Sequence, residues 1–164
     1  LGCEVLLGLG SNLGLCRNNL QNAIASIFKH KGLRLVLQSG VYETQPQDIK
    51  DQPWFCNQVI LLEVMEFWTP WSLLGLLTDI EKQMGRLKAE KKGPRIIDLD
   101  ILAFGRMIIQ EQSLQIPHVS MKKRAFVLVP MMEIYPDFIF PDGERLKTII
   151  DKLEFKLEGN RIYQ

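Results

Sequence analysis

Gly93-Pro94-Arg95-Ile96-Ile97-Asp98-Leu99-Asp100-Ile101-Leu102 reads as the entry to a strand running from Arg95 to Phe104. Side chains alternate across a strand, so Asp98 and Asp100 share one face while Ile97, Leu99 and Ile101 share the other. Upstream, Thr69-Pro70 is a helix start, because threonine caps free amides and proline suits the first turn. Leu73, Leu74, Leu77, Ile80 and Met84 then form one apolar stripe that ends near Gly85. Phe55 to Val64 reads as another strand, and the polar Thr44-to-Pro53 segment before it as loop. Leu33, Leu35 and Leu37 alternate in a strand running towards Tyr42. Leu20, Ala23, Ile24, Ile27 and Phe28 have helical spacing, and Glu4 to Leu9 reads as a buried first strand that Gly10-Ser11-Asn12 turns into that helix.

Strand-helix-strand-strand-helix-strand is the split β-α-β order, which predicts an α+β ferredoxin-like core. A further apolar segment, Phe126 to Ile134, reads as a helix covering the rest of the sheet, and Pro141-Asp142-Gly143 as a turn. The 164 residues carry neither a repeat nor a low-complexity tract, so one domain spanning 1–164 is expected. Cys3, Cys16 and Cys56 are odd in number and scattered, which argues against a disulfide framework or a zinc site and for a reducing cytoplasm. The apolar run at Val5–Leu9 is far too short to span a membrane, and no signal peptide is expected. A net charge of +1 offers no global field for nucleic acid or an anionic membrane, so any anion site must be local.

Chemistry concentrates around the two acids. Paired carboxylates in an apolar strand repel each other and lose solvation, so a positive group should sit between them, and Mg²⁺ takes one or two carboxylates with water and phosphate oxygens. A solvated strand end is the other reading of the same D-x-D pair. Lys82, Arg86, Lys88, Lys91, Lys92 and Arg95 lead into the pair, and Lys122, Lys123 and Arg124 form a later basic group. Such cations either neutralise a triphosphate during phosphoryl transfer or form a solvated face. Gly8-Leu9-Gly10-Ser11-Asn12-Leu13-Gly14 matches neither dinucleotide nor P-loop spacing and is an anion cradle or a tight turn. Phe55 and Asn57 on one strand face, with Phe126 after Arg124, suit a flat heterocycle with polar edges, although each phenylalanine alone also reads as core. His118 reads as a nucleotide contact or a structural turn residue.

Together the segments Gly10-Ser11-Asn12-Leu13, Tyr42-Glu43-Thr44, Asp51-Gln52-Pro53 with Phe55 and Asn57, Gly93-Pro94-Arg95 through Asp98-Leu99-Asp100, and Pro117-His118 through Arg124-Ala125-Phe126 resemble the 6-hydroxymethyl-7,8-dihydropterin pyrophosphokinases of folate biosynthesis. The resemblance runs in order from about Glu4 to Gly143. It implies direct transfer of the β- and γ-phosphoryl groups of ATP to the pterin hydroxymethyl, with AMP leaving. It further implies that Asp98 and Asp100 bind two Mg²⁺ ions, that Arg95, His118, Ile101 and Glu81 contact ATP, and that Arg86 and Arg124 face its phosphates. Phe55 and Phe126 are expected to sandwich the pterin, with Thr44 and Asn57 bonding its edge.

The chain departs from the family pattern between Gly85 and Gly93. Most members carry a second arginine where Lys88 stands and a tryptophan where Lys92 stands, and the loop is one residue shorter here. Lysine does not replace arginine at a bidentate phosphate contact, and a missing aromatic weakens a closing lid, so a slower or more weakly binding enzyme is expected. Two other readings stand beside this one: a Mg²⁺-dependent phosphotransferase acting on another alcohol, and a non-catalytic paralogue. The tail from Phe155 to Gln164 has no functional reading.

Overall fold

The first strand, β1 (Cys3–Ser11), is flanked on both sides and buried along most of its length, which is why its sequence is a nearly unbroken apolar run. The computed structural model describes residues 2–86 and 92–164. Helix α1 (Cys16–Ile27) follows, then β2 (Leu33–Gln38), β3 (Tyr42–Thr44), β4 (Phe55–Val64), α2 (Pro70–Gln83) and β5 (Asp98–Phe104). Two short strands, β6 (Ile109–Gln110) and β7 (Gln115–Ile116), make a separate ribbon. Helices α3 (Ala125–Ile134) and α4 (Leu146–Ile150) come next, and a hairpin of β8 (Lys156–Glu158) and β9 (Arg161–Tyr163) follows.

In the main sheet the order is β5-β1-β4-β3-β9-β8. β2 and β3 divide one edge of β4: β2 pairs with its Ile60–Val64 half and β3 with its Phe55–Asn57 half. β5, β1, β4 and this divided edge, with α1 and α2 between strands, are the ferredoxin-like arrangement expected from the element order. The stretch expected as one strand towards Tyr42 is thus two, and Ser39 stands at the break while its N–H still donates to Val59 O at 2.9 Å. The Ser39 hydroxyl accepts from Val59 N–H, and Gln58 Nε2 donates to the Ser39 carbonyl.

Both faces of the sheet are covered. On one, Val5, Leu7, Leu9, Ile60, Leu62 and Ile101 meet the stripes of α1 and α2, including Leu20, Ala23, Leu73 and Leu77. The Thr69 hydroxyl accepts from Ser72 N–H and the Ser72 hydroxyl from Thr69 N–H, a reciprocal cap at the start of α2. On the other face, Leu6, Val59, Leu61 and Leu102 meet Leu128 and Met131 of α3, Leu146 of α4 and Phe140 from the segment between them. The all-round apolar sequence of α3 suits a helix buried between the sheet and the C-terminal hairpin.

Two expectations need correcting. Gly10-Ser11-Asn12 does not turn the chain, because β1 continues through Ser11 and the bend follows it. Cys16 and Cys56 are joined in a disulfide, a pairing that spacing could not reveal because the sheet brings together residues 40 apart in sequence. The cysteines therefore give no argument for a reducing compartment. No helix among the described residues is long and apolar enough to cross a membrane. Closing a loop of this length constrains the unfolded chain, so reduction with dithiothreitol should lower unfolding free energy by about 2–4 kcal/mol. Denaturant titration with and without reductant checks this, and a Cys16→Ser variant should show no reductant dependence.

Candidate active site

Where α3 ends its cover of the sheet, β1 presents Gly8 and Gly10 instead of side chains. Gly8 lies opposite Asp100 and Gly10 opposite Asp98 on β5, while Gly10 faces Asn57 across β4. A Cβ on Gly10 would come within 2.8 Å of Asn57 Oδ1. The missing side chains leave a cleft of about 230 Å³, and Asp98, Asp100, Phe55, Asn57, Arg124 and Phe126 line it.

Leu99 is buried, so strand alternation aims the flanking carboxylates out of the core and into this cleft. Arg86 Nη1 donates to Asp98 Oδ1 at 2.7 Å and stands 2.6 Å from Glu81 Oε1. Burial opposes the charge on Arg86, but Asp98 and Glu81 outweigh it and raise its pKa. Arg95 Nε lies 3.2 Å from Asp98 Oδ2, yet is not aligned on it, and this buried N–H finds no hydrogen-bond acceptor among the described residues. It is a donor left over for a ligand oxygen. No Lys or Arg among the described residues is in contact with Asp100. Although 41% of its side chain is open to the cleft, the protein packed around it and the charge of Asp98 push its pKa up to about 7.

His118 Nε2 is 4.0 Å from Asp100 Oδ2. Its Nδ1 accepts from Ser120 N–H, so the neutral ring carries its proton on Nε2, facing the acid. Burial and the Arg124 guanidinium lower the His118 pKa. Across the cleft, Asn57 Nδ2 donates to Thr44 Oγ1 at 2.5 Å, and both residues are buried. The Arg95 guanidinium lies 5.1 Å from the Phe55 ring centre, and that of Arg124 lies 5.4 Å from Phe126. Each aromatic face therefore already carries a cation.

The structure brings Asp98, Asp100, Arg95, His118, Arg124, Thr44, Phe55, Asn57 and Phe126 to one cleft. Three residues of the sequence reading do not line the cleft: Arg86 reaches it only through Asp98, and Ile101 and Glu81 sit elsewhere. The Ile101 side chain, 4% exposed, packs into the core beneath α1 and α2, on the side of β5 away from the cleft. Glu81 holds the frame: its Oε1 accepts from Leu99 N–H at 2.8 Å and meets Arg86, and burial pushes its pKa up. Lys88 and Lys91 lie outside the described residues.

Sequence reasoning missed Asn12 as a tie between loops. Its Oδ1 accepts from Arg95 N–H at 2.8 Å, and its Nδ2 donates to Gln52 Oε1 and Pro53 O, both at 3.0 Å. Gln52 Nε2 donates to Lys92 O at 3.1 Å, and Lys92 Nζ to Asp48 Oδ1 at 2.8 Å. An asparagine directly after the glycine-serine end of a strand was the available signal. No group of three or more His, Cys, Asp or Glu side chains gathers for a metal among the described residues. A two-carboxylate set is still a fit for a hard divalent cation whose other positions are filled by ligand oxygens and water.

Fold and cleft define a class, an α+β domain with a glycine-floored, arginine-flanked acidic pair beside an aromatic and amide pocket. The described chain superposes on a Plasmodium falciparum HPPK-DHPS crystal structure with pterin and p-hydroxybenzoate at a TM-score of 0.73, covering 99% of this chain and 49% of that one at 14% identity, a likeness of fold. The profile of the 7,8-dihydro-6-hydroxymethylpterin-pyrophosphokinase (HPPK) family matches residues 6–136, and the chain belongs to that family. It is 38% identical over 153 residues to the 2-amino-4-hydroxy-6-hydroxymethyldihydropteridine pyrophosphokinase of Pseudomonas aeruginosa, covering 93% of each. The pyrophosphokinase of Methylorubrum extorquens is 37% identical over 148 residues, 90% of this chain and 92% of that one. With the folic acid synthesis protein fol1 of Schizosaccharomyces pombe it shares 38% identity over 96% of its own length but spans only 21% of that protein.

The raised pKa of Asp100 has a definite sign for stability. Between the ordinary carboxylate value of about 4 and about 7, the folded protein keeps a proton that the unfolded chain has released, so stability falls as pH rises through that window. In divalent-free buffer, an Asp100→Asn variant should gain Tm over wild type at pH 8 and lose most of that gain at pH 5. An equal gap at both pH values would contradict the raised pKa.

Proposed function

We propose that this chain transfers a diphosphate from ATP to the hydroxymethyl group of 6-hydroxymethyl-7,8-dihydropterin, acting as one pyrophosphokinase domain over residues 1–164. The carrying observation is that one cleft joins the acidic pair to the buried Thr44–Asn57 edge and the two phenylalanines. In the reaction the pterin hydroxyl oxygen bonds to the β-phosphorus, the bond from that phosphorus to the α,β-bridging oxygen breaks, and AMP departs with the electron pair.

Phe55 and Phe126 hold the pterin ring between them once the guanidiniums over their faces move to the triphosphate. Thr44 and Asn57 bond its polar edge. Arg95, with an unused Nε–H, together with Arg86 and Arg124, neutralises the triphosphate. His118, protonated on Nε2, donates to the nucleotide. Glu81 serves ATP by holding Arg86, and any contact from Ile101 runs through its backbone. Asp98 and Asp100 would hold two Mg²⁺ ions, which when bound supply Lewis-acid neutralisation of the phosphates. Asp100 also orients the pterin hydroxyl and takes up its proton as the oxygen bonds to phosphorus. No covalent intermediate is needed, because positioning and charge neutralisation supply the catalysis. The two small molecules are the proposed partners, with no nucleic acid or membrane, and the need for ATP favours a cytoplasmic setting.

Incubation with ATP, Mg²⁺ and 6-hydroxymethyl-7,8-dihydropterin should yield pterin-dependent AMP, and Asp98→Asn/Asp100→Asn should abolish it. ADP as product would mean a simple kinase, and tight pterin binding without turnover a non-catalytic paralogue. The floor of the cleft makes a separate prediction. Gly10→Ala should displace the Asn57 side chain, weakening pterin binding by roughly tenfold or more through the loss of an edge hydrogen bond. The displaced atom ends a side chain, so thermal denaturation of the variant should remain close to wild type, and fluorescence titration with the pterin reads the affinity.

A further inference from the structure

The β8–β9 hairpin lies beyond residues 6–136, the span of the family match. β9 runs parallel to β3, with Ile162 in register with Thr44. Strand alternation puts Arg161 and Tyr163 on one face of β9 and Ile162 and Gln164 on the other. On the first face, the Tyr163 ring meets Trp54 edge-on at 5.2 Å, and Arg161 lies 5.7 Å from the centre of the Trp54 ring while donating to Glu43 at 2.8 Å. On the second, Ile162 is 1% exposed and packs with Ala125 and Val129 of α3.

Helix α3 starts after Arg124 and has no side-chain cap from its own first turn. Its first amide is satisfied from far along the chain: Gln164 Oε1 accepts from Ala125 N–H at 2.9 Å. Gln164 Nε2 donates to Lys123 O at 2.9 Å, so one carboxamide grips the backbone on both sides of Arg124. Gln47 Nε2, from a loop that also lines the cleft, donates to Gln164 Oε1 at 3.3 Å. A free helix-start amide is the group that caps exist to satisfy, and holding it fixes where the first helical residues point.

We infer that Gln164 is a positioning residue for the transfer reaction, capping α3 across the tertiary structure and so setting Arg124 and Phe126 over the cleft. The inference rests on the pyrophosphokinase reading for the identity of the ligand, but not for the cap itself. Gln164 touches neither reacting group; it acts through the backbone of residues 123–125.

Three variants test it in the full chain: Gln164→Ala, Gln164→Glu, which keeps an acceptor for Ala125 N–H, and Lys156→Ala on the same hairpin, whose partner is the exposed Glu158. Amide hydrogen exchange at Ala125 and affinity for 6-hydroxymethyl-7,8-dihydropterin, with Mg²⁺ and a non-hydrolysable ATP analogue, are measured beside Tm. Gln164→Ala should speed exchange at Ala125, lower Tm by about 2–4 °C as the loss of one helix cap does, and weaken pterin binding roughly three- to tenfold. Gln164→Glu should restore protection at Ala125, and Lys156→Ala should match wild type throughout. Unaltered exchange or unaltered pterin affinity in Gln164→Ala overturns the positioning role, as does an equal loss of affinity in Lys156→Ala. A wild-type protein that binds no pterin overturns the reading of the site itself, and exchange at Ala125 then still reports separately on the cap.

Discussion

The cleft exists because the middle strand of the sheet carries glycine where its neighbours carry function. β1 is hydrogen-bonded to β4 on one side and to β5 on the other, so each residue from Val5 to Gly10 has a partner in both. Leu6 fills the same face one step earlier and packs against α3 and its neighbours. At Gly8 and Gly10 that filling stops, and Asp98, Asp100 and Asn57 stand around a floor of bare backbone. Leucine at either glycine would extend the apolar core into this space. An antiparallel sheet allows no local escape, because slipping β1 by one residue would turn its whole apolar set to the opposite face.

Charge balance around the acidic pair follows from this placement. Two carboxylates two residues apart on one strand face cannot both ionise cheaply in a half-buried site. Asp98 is compensated by Arg86 and Arg95, with Glu81 anchoring both Arg86 and the Leu99 amide between the acids. Asp100 has no such partner among the described residues, and its pKa rises. The asymmetry gives one acid committed to its arginines and one that exchanges protons near neutrality. A ligand bringing phosphates and a divalent cation would redistribute both, drawing the arginines onto phosphate and leaving the carboxylates to the metal.

Much of this was legible in the sequence, for identifiable reasons. Strand period two places Asp98 and Asp100 together without any knowledge of the fold, and the stripe from Leu73 to Met84 carries its own helix start at Thr69-Pro70. The same alternation shows that Ile101 turns away from Asp100, so that residue's side chain belongs to the core. What stayed hidden depends on contacts between distant segments. The Cys16–Cys56 bond, the break at Ser39 and the grip of Gln164 on Ala125 all join residues whose neighbourhood appears only after the sheet has formed. Gly10 was misread as a turn because a glycine says that a side chain is unwelcome without saying whether the reason is a bend or a cleft.

The cleft also divides into parts of different rigidity. Phe55, Asn57, Asp98 and Asp100 ride on paired strands, whereas Asp48, Gln52 and Lys92 belong to segments outside the sheet. Asn12 ties those segments to the end of β1 through the Arg95 backbone and Gln52, part-buried bonds that cost more to break than exposed ones. The Lys92–Asp48 pair bridging the segments is exposed and worth only about 0–1 kcal/mol. Lys92 also sits at a φ of 78°, in a left-handed conformation that costs a non-glycine residue roughly 1–2 kcal/mol. The pair and the strain nearly cancel, which leaves the exposed Gln52–Lys92 hydrogen bond as the net tie between the two segments, weaker than the part-buried bonds of Asn12. Opening should therefore begin at Lys92, with Asn12 as the hinge side that stays closed.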